Sequence, residues 1–174
     1  MIEITTKELW AALTPAEKED ACLAFWEKSA FSADLHPAVT KELAAALNLR
    51  EVALKRLPLT EKARYLRWKA DSPTMRHVRD HIMRSWMVIR KKPMLVSFVD
   101  AQGLKHTDGI VADDVPPPDV EAVKKAVRTI CTQFPPREVA LYLGVMLTAG
   151  GDLWTGLGTA VESEFPSLKA ALTP

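Results

Sequence analysis

The first 102 residues contain no glycine: all seven glycines fall at or after Gly103, and five lie between Gly144 and Gly158. Glycine supplies left-handed backbone, tight strand turns and close approach to phosphate. A stretch this long without it reads as helices separated by prolines and polar caps, with no glycine-rich phosphate loop. "LTPAEKEDACLAFWEKSA" shows the pattern. Thr14 is an N-cap, Pro15 the first helical residue and Glu17 the capping-box partner. Ala21, Cys22, Phe25 and Trp26 then recur at helical spacing as one buried stripe. A second helix is expected from Pro37 to Leu47, and a third from Arg50 to Leu57, stopped by Pro58. "TEKARYLRWKA" follows with Thr60 as its cap. Ser72-Pro73 then breaks the chain before a long helix from Thr74 to Lys91, with Met75, Val78, Ile82, Trp86 and Ile89 inward.

The periodicity changes after Pro93. "MLVSFV", "DAQG" and "LKHTDGIV" read as strand, turn and strand, a hairpin over about 94–111 with Gly103 at positive φ. An isolated hairpin is marginal, so it should pack on helices or pair with another chain's sheet edge. "VPPP" at Val115 to Pro118 is a stiff connector. Beyond it Val120, Val123, Val127 and Ile130 make a helical stripe, Pro135-Pro136 opens another helix, and a glycine-rich helical pair closes the chain. The expected fold class is mainly α, a multi-helix globular protein with one small β-hairpin. Its regions are 1–92, helical and basic in its second half; 93–114, the hairpin; and 119–174, helical and sharing one core with the first.

The composition, 48% hydrophobic and 26% charged, is that of a folded globular chain and excludes disorder as an account of the whole. Val139 to Val161 is long and poor in charge, but Asp152 sits within it. A charge at mid-membrane costs about 2.5–3.5 kcal/mol. Gly150-Gly151 then Asp152 reads instead as a helix stop and a new cap, giving two buried helices and no membrane partner. "MIEITTKELW" lacks a basic region followed by an apolar run, so no signal peptide is read and the expected location is cytoplasmic. Cys22 and Cys131 read as small buried apolar groups in a reducing compartment, with a bridge between them as the alternative.

Net charge is only +1, yet Arg50 to Lys92 holds thirteen Lys and Arg against four acids, which is +9 there and −8 elsewhere. A segregated field of this kind marks an anionic partner, with nucleic acid the commonest. Tyr65 and Trp68 interleave with Arg64, Arg67 and Lys69, a pattern suited to base stacking with phosphate neutralisation. The competing reading is that the acidic flanks fold against the basic middle.

"KELAAALNLREVALKRL", Lys41 to Leu57, has the spacing of a helix-turn-helix. Leu43, Ala44, Leu47, Leu49 and Leu54 would be buried, Asn48 would make the turn, and Arg50, Glu51, Lys55 and Arg56 would be exposed. Over these eighteen or so residues it resembles the motif of bacterial repressors, but any tight helical hairpin needs the same spacing, and Pro58 truncates the second helix. "HVRDH" places His77 and His81 on one helical face, able to share a metal. It resembles the inverted zinc-protease motif with Asp80 in place of Glu, a shorter carboxylate with less reach. Arg76, Asp80 and Arg84 form a ladder beside it, and nearby cations disfavour a divalent metal. His106 and Asp108 are further candidate ligands, as are Asp113, Asp114 and Asp119, although acidic caps before a helix are ordinary. Glu162 and Glu164 read as surface acids.

No G-x-S-x-G elbow, Walker loop or dinucleotide fingerprint is present, and no cysteine has a histidine nearby in sequence. The leading expectation is a non-catalytic binding or adaptor protein without cofactor, acting through a protein partner or as a homo-oligomer. The alternative is nucleic-acid or other polyanion binding by segment 50–92, with Arg50, Lys55, Arg56, Arg64, Arg67 and Arg84 on phosphates. The third is a metal-dependent hydrolase built on His77 and His81.

Overall fold

Helices start where polar caps and prolines allow them to. In this computed structural model, residues 3–27, 33–72, 76–112, 114–149 and 154–173 are described, Arg76 by its backbone alone. They form α1 (Thr6–Ala12), α2 (Pro15–Trp26), a 3₁₀ turn (Ala33–Leu35), α3 (His36–Ala46), α4 (Glu51–Arg56) and α5 (Leu59–Ala70). Then come α6 (Arg76–Arg90), α7 (Lys92–Asp100), β1 (His106–Thr107), β2 (Ile110–Val111), α8 (Val120–Gln133), α9 (Pro136–Ala149), α10 (Leu157–Glu164) and α11 (Leu168–Ala171). The protein is mainly α with one small antiparallel hairpin. Gly150-Gly151-Asp152, Thr74, Met75 and Asp113 lie outside the described residues. Among those described, no helix is long and apolar enough to cross a membrane.

The chain divides into two compact units, Leu13–Ile89 and Met1–Ala12 with Arg90–Pro174. In the first, the Thr14 hydroxyl accepts the Glu17 N–H while the Glu17 carboxylate accepts the Thr14 N–H, the capping box expected. Helix α2 buries Ala21, Cys22, Phe25 and Trp26 and packs on α5 through Ala63, Leu66 and Ala70. Leu43 on α3 and Leu54 on α4 complete that core, each fully buried leucine contributing about 1.5–3 kcal/mol. Val78, Ile82 and Trp86 of α6 are buried as expected, while Ile89 is half-buried. The Trp86 indole N–H donates to Asp20 on α2 at 2.8 Å.

In the second unit, α1 joins the C-terminal helices. Gly144 on α9 lets it approach: a Cβ there would lie 2.5 Å from a methyl of Leu9. Asp119 caps α8 by accepting the Ala122 N–H at 2.7 Å. Helix α8 buries Val123, Ala126, Val127 and Ile130 between α7 and α10, but Val120 is exposed. Both cysteines are free thiols, Cys22 buried and Cys131 half-buried.

The hairpin is shorter than expected, and "MLVSFV" is helical. Pro93 occupies the first turn of α7, and Met94, Leu95, Phe98 and Val99 are buried, a spacing of one helical face and not of alternating strand positions. Gly103, at φ 69°, follows the α7 C-terminus: its N–H donates to Asp100 and the Leu104 N–H reaches back to Val99. The strand turn is Asp108-Gly109, with φ of 56° and 87°, the positive pair that a type I′ turn requires. It pairs His106 with Val111 and Thr107 with Ile110. The imidazole of His106 locks it: Nδ1 accepts the Gly109 N–H at 2.9 Å, so Nε2 carries the proton and donates to Asp100 at 2.8 Å.

Candidate docking face and groove

Helix α3 ends in a Schellman turn. The Asn48 N–H donates to Ala45 O and the Leu49 N–H to Ala44 O, with Asn48 left-handed at φ 54°. Helix α4 follows after the extended cap Arg50 and packs on α3. Leu43, Ala44 and Leu54 are buried and Leu47 is half-buried, but Leu49 is 41% exposed. Leu49 precedes the cap, outside the helix, so it does not share the face that Leu54 turns inward. Helix α4 has six residues, about 9 Å at 1.5 Å per residue. Pro58 is the N-cap of α5, so Thr60 is already helical and does not cap it. With Ala63, Leu66 and Ala70 buried, Thr60, Arg64 and Trp68 recur every four residues on the solvent side.

The structure separates the cations of the basic segment into two sets. Arg67 lies 3.9 Å from Glu19, Lys91 2.9 Å from Glu138, and Lys92 2.7 Å from Asp108. Arg79 is buried and donates to the carbonyls of Ala70 and Ser72, closing the C-terminal end of α5. Lys69, Arg84 and Arg90 are also partnered. Among the described residues Arg50, Lys55, Arg56, Lys62 and Arg64 make no ion pair, and all belong to α4, its cap or α5. All but Lys62 are exposed, and the same stretch exposes Leu49, Val52, Leu59 and Trp68, the last to 57%. Of the residues expected on phosphates, four are therefore available, while Arg67 and Arg84 are engaged.

Folding also dilutes the charge. The Leu13–Ile89 unit holds thirteen Lys and Arg against ten Asp and Glu, a net +3: residues 13–49 bring six acids against three lysines, and Arg90, Lys91 and Lys92 belong to the other unit.

His77 is exposed and 3.5 Å from Glu42. His81 is half-buried; burial, and next the Arg84 cation, hold its pKa below the ordinary value against the opposing pull of Asp80. No group of three or more side chains able to hold a metal occurs among the described residues. His106 and Asp108 have structural partners, Asp100 and Lys92. Glu164 pairs with Arg128 at 3.1 Å, Glu162 is partnered, and Asp114 is exposed.

The same unit contains a groove of about 510 Å³ lined from α2 to α5. Trp26, Pro37 and Leu59 supply apolar surface, and Lys55 and Lys62 supply charge. Thr40 and His36 also line it, the latter with Nε2 2.6 Å from the Phe25 carbonyl. Phe25, Trp26 and His36 form a ring cluster with centroids 5.2 Å apart. The sequence reading missed this groove because its residues come from four separate elements with no common spacing. Only Trp26, at the end of an apolar stripe, gave a hint.

Comparison with protein-family models, with curated proteins and with solved structures finds no match.

Proposed function

We propose that the protein is a non-catalytic binding protein that docks an acidic segment of a protein partner on the face made by α4 and α5. The observation that carries this reading is the set of five cations without an ion pair among the described residues, beside exposed Val52, Leu59 and Trp68. Arginine and tryptophan are enriched where binding energy concentrates, and a mixed apolar and cationic surface complements an acidic amphipathic segment. A phosphate backbone would use the charge and leave the apolar side chains idle. Helix α4, under two turns long, is also a short element for reading base edges in a groove. Two free cysteines support a reducing compartment, and with it a cytoplasmic location.

One observation favours nucleic acid as the second reading: Trp68 is exposed one helical turn from Arg64, an arrangement that stacks a base beside a phosphate. Fluorescence anisotropy with a labelled peptide of alternating Glu and Leu pairs, run against labelled single-stranded and duplex oligonucleotides, separates the two. The expected result is peptide binding that weakens with salt and falls at least about tenfold in R50E/R56E/R64E. Tighter binding of an oligonucleotide, with a steep salt dependence, would put the second reading first. No binding of either at low salt removes both.

A further inference from the structure

The groove of about 510 Å³ in the Leu13–Ile89 unit has a volume within the roughly 300–1,000 Å³ of small-molecule sites. Its polar lining is mixed: the Lys55 and Lys62 ammoniums donate, the Glu27 carboxylate accepts, and the His36 Nε2–H is already given to the Phe25 carbonyl. Lys55 and Lys62 have no ion pair among the described residues, and Lys62 is half-buried. Trp26 is 7% exposed, and its indole N–H is buried without an acceptor. Four buried side-chain atoms of the described residues lack a partner, and this one alone belongs to a residue lining the groove. Thr40 hydroxyl both donates and accepts. Among the described residues Glu27 is the single carboxylate of the lining, and it has a partner of its own.

These features exclude most ligand classes. A cation would meet two ammonium groups. A neutral apolar molecule would desolvate those ammoniums without supplying an acceptor. An inorganic anion would satisfy the lysines but leave the Trp26, Pro37 and Leu59 surface uncovered. An oxyanion on a flat apolar body satisfies both halves, and a charge-assisted hydrogen bond to a carboxylate is stronger than a neutral one. We propose that the groove binds a small organic carboxylate, its apolar body against Trp26 and Leu59 and its carboxylate paired with Lys55 and Lys62. Lys55, Lys62 and Leu59 belong to both the groove and the docking face, whereas Arg50, Arg56 and Arg64 do not line the groove, so substitutions at these three arginines act on the face alone.

Calorimetric titration of the full chain with 2-naphthoate, and with 2-naphthalenemethanol as its neutral counterpart, tests this. Saturable one-to-one binding of naphthoate is expected, with the alcohol at least about tenfold weaker. K55A/K62A should lose at least about tenfold in naphthoate affinity, while R64A, outside the groove, should keep the wild-type value. Both variants change side chains outside the buried core, and an unchanged circular-dichroism melt shows that they fold. Absence of saturable binding in the millimolar range overturns the site. Equal affinity for the alcohol overturns the carboxylate class, and an unchanged K55A/K62A affinity overturns the assignment to these lysines. Naphthoate binding should stay intact in R50E/R56E/R64E, whether or not that variant still docks the peptide; loss of naphthoate binding in it would overturn the placement of the carboxylate at Lys55 and Lys62.

Discussion

Asn48 sits in left-handed backbone at φ 54°, and that angle decides what can replace it. A β-branched residue there costs about 1–2 kcal/mol, whereas glycine adopts the conformation freely. N48V should therefore lower the urea-unfolding free energy by about that amount and N48G should leave it nearly unchanged. Asn48 was legible in the sequence, since asparagine between two leucine-rich helical runs is a turn residue. Arg79 was not. Nothing in the sequence sets it apart from the other cations of 50–92, and only the fold brings it, from α6, to the Ala70 and Ser72 carbonyls. Hydrogen bonds from a charged donor are worth about 1.5–3 kcal/mol each, so R79A should cost about 2–3 kcal/mol in urea unfolding and R79K should recover part of it. His81 carries a pH signature. Burial lowers its folded pKa, so the unfolded chain binds the proton first and stability is lost as pH falls from about 7 toward 5. H81N should flatten the unfolding free energy against pH in that window; a profile identical to wild type would remove His81 as its source.

Elements were legible where caps and prolines punctuate them. Thr14, Pro15 and Glu17 start α2, Pro136 lies at the start of α9, and Asp119 caps α8. The misread element is α7. Its run of β-formers outweighed two cues, the proline in its first turn and inward residues at 94, 95, 98 and 99. The Asp-Gly pair, the stronger hairpin signal, lay a few residues on. Thr60 was misread for a related reason: a good capping residue is not a cap when the preceding proline already starts the helix. Contact between helices α1 and α9 was not legible, because the close approach at Gly144 joins segments far apart in sequence. G144A should destabilise by about 1–3 kcal/mol, since Leu9, fully buried, has no room to yield. Thermal denaturation of G144A beside G158A, whose Cβ would meet no neighbour, checks that the loss comes from the contact.

At the scale of the whole molecule, the difference between sequence and structure is one of charge. The +9 segment is cut after Ile89, leaving Arg90, Lys91 and Lys92 in the other unit. Its remaining +6 is lowered to +3 by the six acids and three lysines of residues 13–49, Glu19 of which meets Arg67. Linear charge tallies could not show this, since they do not say which helices pack together. What survives folding is narrower and better defined: five cations on α4, its cap and α5, with exposed leucine, valine and tryptophan among them. This is the surface on which the proposed function rests. The most direct test is amide chemical-shift mapping of the isotope-labelled protein titrated with the acidic amphipathic peptide. Shifts should concentrate on residues 49–68, scale with peptide occupancy and vanish in R50E/R56E/R64E. Shifts that spread evenly over both units, or that centre outside this stretch, would contradict the assignment of the docking face.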